Sequence, residues 1–107
     1  MEFSELIQRA LAVRQRYAAF EQRRYGNVWS NEELALGFVG DVGDLAKLVM
    51  AYNGRRTISD VQNKLAHELA DCLWSVIVLA HVHGVDLETA FLQTMSELQE
   101  RLEQDST

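Results

Sequence analysis

The chain has 107 residues, one domain's length, with a net charge of −6, 48% hydrophobic residues, no proline and a single cysteine, Cys72. The charge argues against nonspecific attachment to a nucleic-acid backbone, and one cysteine excludes an intrachain disulfide. The lack of proline leaves long helices unbroken, and a core this small invites completion by association.

Four helices are predicted, forming one all-α bundle over residues 1–107. The first covers about Phe3–Arg24, where Phe3, Leu6, Ile7, Ala10, Leu11, Arg14, Tyr17 and Ala18 recur at three/four spacing. RYGNVW breaks that pattern. Ser30 with Glu33 then makes a capping box that opens a second helix, running to about Tyr52 with Leu34, Phe38, Val42, Leu45 and Val49 at its apolar positions. NGRRT turns the chain, and Ser59 with Gln62 reads as a second capping box. The third helix reaches about His83, with Gly84 just past its end. Asp86 caps a fourth helix to about Glu103; Gln99–Thr107 is expected to be a solvated tail that frays at DST. MEFSELIQRA lacks the basic segment and apolar run of a secretory signal, and no apolar run approaches the roughly 18 residues of a membrane span. A soluble, cytoplasmic protein is the expectation.

The unusual stretch is GFVGDVGDLAKL, residues 37–48, in the middle of the second helix. Asp41 and Asp44 are three apart among Leu, Val and Phe, and Glu68 and Asp71 repeat the device in HELADCLW. Residues at i and i+3 lie roughly 60° apart around a helix and about 4.5 Å apart along it, so each pair projects from one face. Such a pair is most often solvated surface. Here the neighbours are apolar or small, and antiparallel packing of the two helices brings four acids together. Converging carboxylates either take up protons or hold cations, and hard divalent ions prefer oxygen ligands. Gly37, Gly40 and Gly43 each cost roughly 1 kcal/mol relative to alanine. They leave room for close helix packing or for a ligand.

GDVGDL followed by ELAD resembles the E-x-x-E … E-x-x-D signature of the all-α nucleoside triphosphate pyrophosphohydrolases, the MazG-like and dCTP-pyrophosphatase-like proteins. The resemblance runs from about Arg24 to GVDLETAF, and NEELALGFVGDVGDLAKL is most like the dCTP-pyrophosphatase-like branch. It implies a MazG-like helical bundle completed as a homodimer or homotetramer. It also implies Mg²⁺-dependent hydrolysis of a nucleoside triphosphate to monophosphate and pyrophosphate, with Mn²⁺ as a possible substitute, in nucleotide-pool house-cleaning. Asp41, Asp44, Glu68 and Asp71 then match the metal ligands, with Asp41 and Glu68 as catalytic residues. Both acids of the first motif are Asp where the family has Glu, one methylene shorter.

By the same resemblance Tyr25 and Trp29 are base-stacking candidates, with a hydrophobic lid as the alternative. Tyr52 is a candidate wall of the base pocket. Lys47 and Lys64 lie within a turn of the acid pairs and are candidate phosphate contacts, as are Arg55 and Arg56, against the usual solvent-facing role. HELAD lacks the second His of a zinc-protease motif, and no Gly-rich phosphate loop occurs. His81 and His83 suit the C-terminal end of the third helix, while Cys72 and Trp74 suit the core. Two other readings stand beside the enzyme: a module that binds nucleotide or metal without turnover, and a structural adaptor with solvated acids. Neither a nucleic-acid polymer nor a membrane is an expected partner.

Overall fold

The computed structural model describes residues 1–105 as α1 (Phe3–Tyr25), α2 (Asn31–Tyr52), α3 (Val61–Val82) and α4 (Leu87–Asp105), with no strand among the described residues. α1 ends at Gly26, whose φ of 80° is the left-handed turn that L side chains rarely adopt. α2 starts with both bonds of the capping box: the Glu33 N–H donates to Ser30 Oγ at 3.2 Å, and the Ser30 N–H donates to Glu33 Oε1 at 2.9 Å.

The expected Ser59 box does not form. The turn delivers Asp60 to the N-cap in a left-handed conformation, φ 52°, which leaves Ser59 outside the helix. Ser59 Oγ instead accepts a bond from the Lys64 ammonium at 3.3 Å. At the far end of α3 the His83 ring lies 2.7 Å from the Leu79 carbonyl. Asp86 Oδ1 accepts the Thr89 N–H at 3.1 Å and caps α4. α4 continues to Asp105, so residues 99–105 of the expected tail are helical and exposed; Ser106 and Thr107 lie outside the described residues.

α3 is the hub, with α2 as its main neighbour and α1 and α4 also packed on it. α2 and α3 run antiparallel: Asp41 meets Ser75 while Asp44, further along α2, meets Glu68, further back on α3. Trp74 fastens α1, donating its indole N–H to the Ala10 carbonyl at 3.0 Å and packing against Tyr17 with ring centroids 5.7 Å apart. A helix that serves three neighbours is apolar on several sides. By length and composition α3 is accordingly apolar enough to cross a membrane, with a mean hydropathy of 1.4, a property that a search for unbroken apolar runs overlooks.

The buried hydrophobic residues are few: Leu48, Cys72, Ile77 and Val78. α4 buries none of its residues. The radius of gyration is 17.2 Å, against about 13 Å for a compact chain of this length. Leu36, Val39, Phe91, Leu92 and Leu102 all face outward. A single copy is therefore an open arrangement of helices with much of its apolar surface uncovered.

Candidate active site

The antiparallel register sets the acid pairs of α2 and α3 against each other. Carboxylate oxygens of Asp41, Asp44 and Glu68 all lie within 4.8 Å of one another. Asp44 is exposed, while Asp41 and Glu68 are half-buried. Asp41 Oδ2 accepts a long hydrogen bond from Ser75 Oγ at 3.4 Å. Burial, and then the neighbouring carboxylates of Asp41, Asp71 and Asp44, raise the Glu68 pKa above the ordinary range, against a small opposing pull from His67. Among the described residues, Glu68 Oε1 is the buried side-chain oxygen left without a hydrogen-bond partner.

An orphaned carboxylate oxygen facing two more carboxylates is a costly arrangement for the protein alone. It fits a hard divalent cation, whose oxygen ligands converge over this range. Asp71 lies outside that set of mutual distances, with its Oδ2 3.2 Å from His67 Nε2. It remains close enough to raise the pKa of Glu68.

Two concavities flank the acids. A groove of about 380 Å³ runs past Asp44 and Glu68, with Lys47, Lys64 and Asn63 on its walls. A second cavity of about 490 Å³ opens past Asp41 and Asp71 and is walled by Tyr17, Trp29, Phe38 and Trp74. His67 lines both. The Trp29 ring lies against Gly37, where an added Cβ would sit 3.0 Å from its Cζ3. Gly40 and Gly43 have no such neighbour within 4 Å, so only Gly37 makes room for a side chain within this copy.

Of the residues singled out from sequence, the structure gathers Asp41, Asp44, Glu68, Asp71, Trp29, Lys47 and Lys64 around one seam. Tyr25 is not among them. It is 65% exposed at the end of α1, packed edge-on against Phe20, and lines neither cavity. Tyr52, Arg55 and Arg56 are exposed and also line neither. Cys72 is buried, and burial, followed by the charges of Glu68, Asp41 and Asp71, raises its thiol pKa.

Sequence reasoning missed Glu21, which is only 8% exposed. Arg14 forks onto it with Nη1–Oε2 at 2.8 Å and Nη2–Oε1 at 3.1 Å, and the Trp29 N–H donates to the same Oε1 at 3.1 Å. The Arg14 hydrogen bond lowers the Glu21 pKa more than burial raises it, with further lowering from the Trp29 N–H and the Arg14 charge. The only signal in the sequence was Arg14 sitting on the apolar face of the first helix.

The profile of the MazG nucleotide pyrophosphohydrolase domain family matches residues 29–104, and the chain belongs to that family. Its members are nucleotide pyrophosphohydrolases that typically depend on divalent metal. The match covers α2, α3 and most of α4, with both acid pairs, and begins at Trp29, beyond α1. No curated protein and no solved structure matches the chain.

Proposed function

We propose that this protein hydrolyses a nucleoside triphosphate to monophosphate and pyrophosphate, with a pyrimidine deoxynucleotide as the expected substrate and nucleotide-pool house-cleaning in the cytoplasm as its setting. One observation carries the reading: three carboxylates from two helices within 4.8 Å, one with an orphaned oxygen, between an aromatic cavity and a lysine-lined groove. Asp41, Asp44 and Glu68 would hold Mg²⁺, with Mn²⁺ as a substitute and Asp71 as an outer member of the set. When bound, such an ion neutralises polyphosphate charge and makes water more acidic.

The protein's own groups divide the remaining work. Trp29 offers its ring to the base, since aromatic stacking tolerates any base and shape then selects among them. Tyr25, the other base-stacking candidate, lines neither cavity of a single copy. Lys47 and Lys64 act as point charges on phosphate oxygens. Asp41, steadied by Ser75, accepts the proton of the attacking water. Glu68 would help to hold the cation that offsets the negative charge building up in the transition state.

Assembly as a homodimer or homotetramer belongs to the same reading. It is supported by the uncovered apolar surface, including a groove of about 530 Å³ lined by Phe3, Leu73, Val76, Leu87, Phe91 and Leu92. Binding without turnover is the rival reading, favoured by the shorter Asp at positions 41 and 44 and by the engagement of Asp71 with His67. A pyrophosphate-release screen over common and modified triphosphates with Mg²⁺ or Mn²⁺ separates the two. Turnover of at least one triphosphate supports the enzyme, and binding without pyrophosphate release supports the rival.

A further inference from the structure

The Arg14–Glu21 pair does something the acid cluster does not need. It lies on α1, outside residues 29–104, and its hydrogen bonds run to each other and to the Trp29 amide rather than to the four site acids. Arg14 and Glu21 are seven residues apart, two helical turns, so the fork stays on one face of α1. Both side chains are nearly shut from solvent, at 13% and 11% exposed. A bidentate guanidinium–carboxylate pair in such a place is rigid as well as strong. The spare capacity of Glu21 Oε1 goes to a loop amide, Trp29 N–H, eight residues on. That bond pins the α1–α2 connection one residue before the α2 cap at Ser30. The Trp29 ring is then set between two fixed points, its own amide on Glu21 and the bare backbone of Gly37. Arg14, Glu21, Trp29 and Gly37 all line the aromatic cavity beside Asp41.

We infer that Arg14 and Glu21 are positioning residues that hold the Trp29 ring as a wall of the cavity and so set which base the site accepts. This rests on the nucleotide reading above for the identity of the ligand, but not for the hold on Trp29. Loops bordering a site gain specificity only when their conformation is fixed before the ligand arrives, because ordering them on binding costs affinity. Here the ordering is done by a buried ion pair on a helix that the metal site does not use.

The test replaces both partners, Arg14→Leu with Glu21→Met, since exchanging a buried pair for apolar groups usually keeps a fold that removal of one partner would break. Three readouts are taken on the full chain. Hydrogen exchange at the Trp29 amide should become at least about tenfold faster in the double variant. The Mn²⁺-induced rise in melting temperature should be unchanged, because the carboxylates are untouched. With the preferred triphosphate from the screen, KM should rise about tenfold with kcat little changed, and discrimination between bases should fall. Trp29→Ala should do the same, and combining it with the double variant should add nothing further, as expected when one change acts through the other.

Unchanged amide protection overturns the hold on Trp29. Faster exchange with unaltered base preference, or losses that add in the combined variant, overturns the link to specificity. If the wild type turns over no triphosphate, the nucleotide reading and that link both fall, while the amide measurement still decides the hold.

Discussion

Glu21 and Glu68 carry the same carboxyl group into opposite surroundings. Glu21 has a guanidinium and an amide as partners, which lower its pKa; Glu68 has burial and three acids, which raise it. The signs for stability follow by linkage. Glu21 contributes stability above its ordinary 4.5, lost as pH falls through its lowered folded value. Glu21→Gln should therefore cost on the order of 2 kcal/mol at neutral pH, with the deficit shrinking as pH drops below that range. Glu68 favours the fold at and below its ordinary 4.5, and that contribution is lost as pH rises through its raised folded value. In metal-free protein, Glu68→Gln should raise the melting temperature at pH 7–8, with little effect near pH 4.5. The relief of repulsion among the carboxylates should show as a rise of a few degrees. Melting curves across pH in a chelator check both. Adding Mn²⁺ at 100 times its Kd should stabilise the wild type by about 2.7 kcal/mol. Glu68→Gln should abolish that gain, while Asp71→Asn should reduce it without removing it, because Asp71 stands outside the three-acid cluster.

At the scale of helices, the parts legible in the sequence were those set by local periodicity. Spacing and the Ser30–Glu33 box marked α2, and the two i, i+3 acid pairs marked the faces that meet. The Ser59 box failed because a turn conformation, not a side-chain preference, chose Asp60 as the N-cap. The Arg14–Glu21–Trp29 cluster stayed hidden because its last link joins a helix to a loop amide, and no spacing rule encodes that. Asp71 was grouped with the other acids by its i, i+3 spacing to Glu68 and by the motif; it lines the aromatic cavity together with Asp41, contacts His67, and still acts on the Glu68 carboxyl. The three glycines looked alike in sequence, but their surroundings differ. Gly40→Ala places a better helix former in open space and should stabilise by about 0.5–1 kcal/mol. Gly37→Ala should forfeit that gain, since its Cβ meets the Trp29 ring at 3.0 Å. Paired melting curves of the two variants check the contrast.

For the whole molecule, association is an expectation from the family resemblance and from 48% hydrophobic residues in a short chain. The open shape and the uncovered faces of α2 and α4 give that expectation a location. Light scattering at micromolar concentration should return at least twice the 12.2 kDa chain mass. Phe91→Glu, at the apolar groove of α3 and α4, should lower the mass if that groove is covered by a second copy. Whether the protein is an enzyme turns on what the seam between α2 and α3 does to a triphosphate. The most direct test is ³¹P NMR of the products formed from the preferred triphosphate with Mg²⁺, for wild type and Glu68→Gln in parallel. The wild type should yield monophosphate and pyrophosphate in equal amounts without inorganic phosphate, and Glu68→Gln should slow this by at least about a hundredfold. Diphosphate with inorganic phosphate as products, or equal rates for the two proteins, would contradict the proposed function.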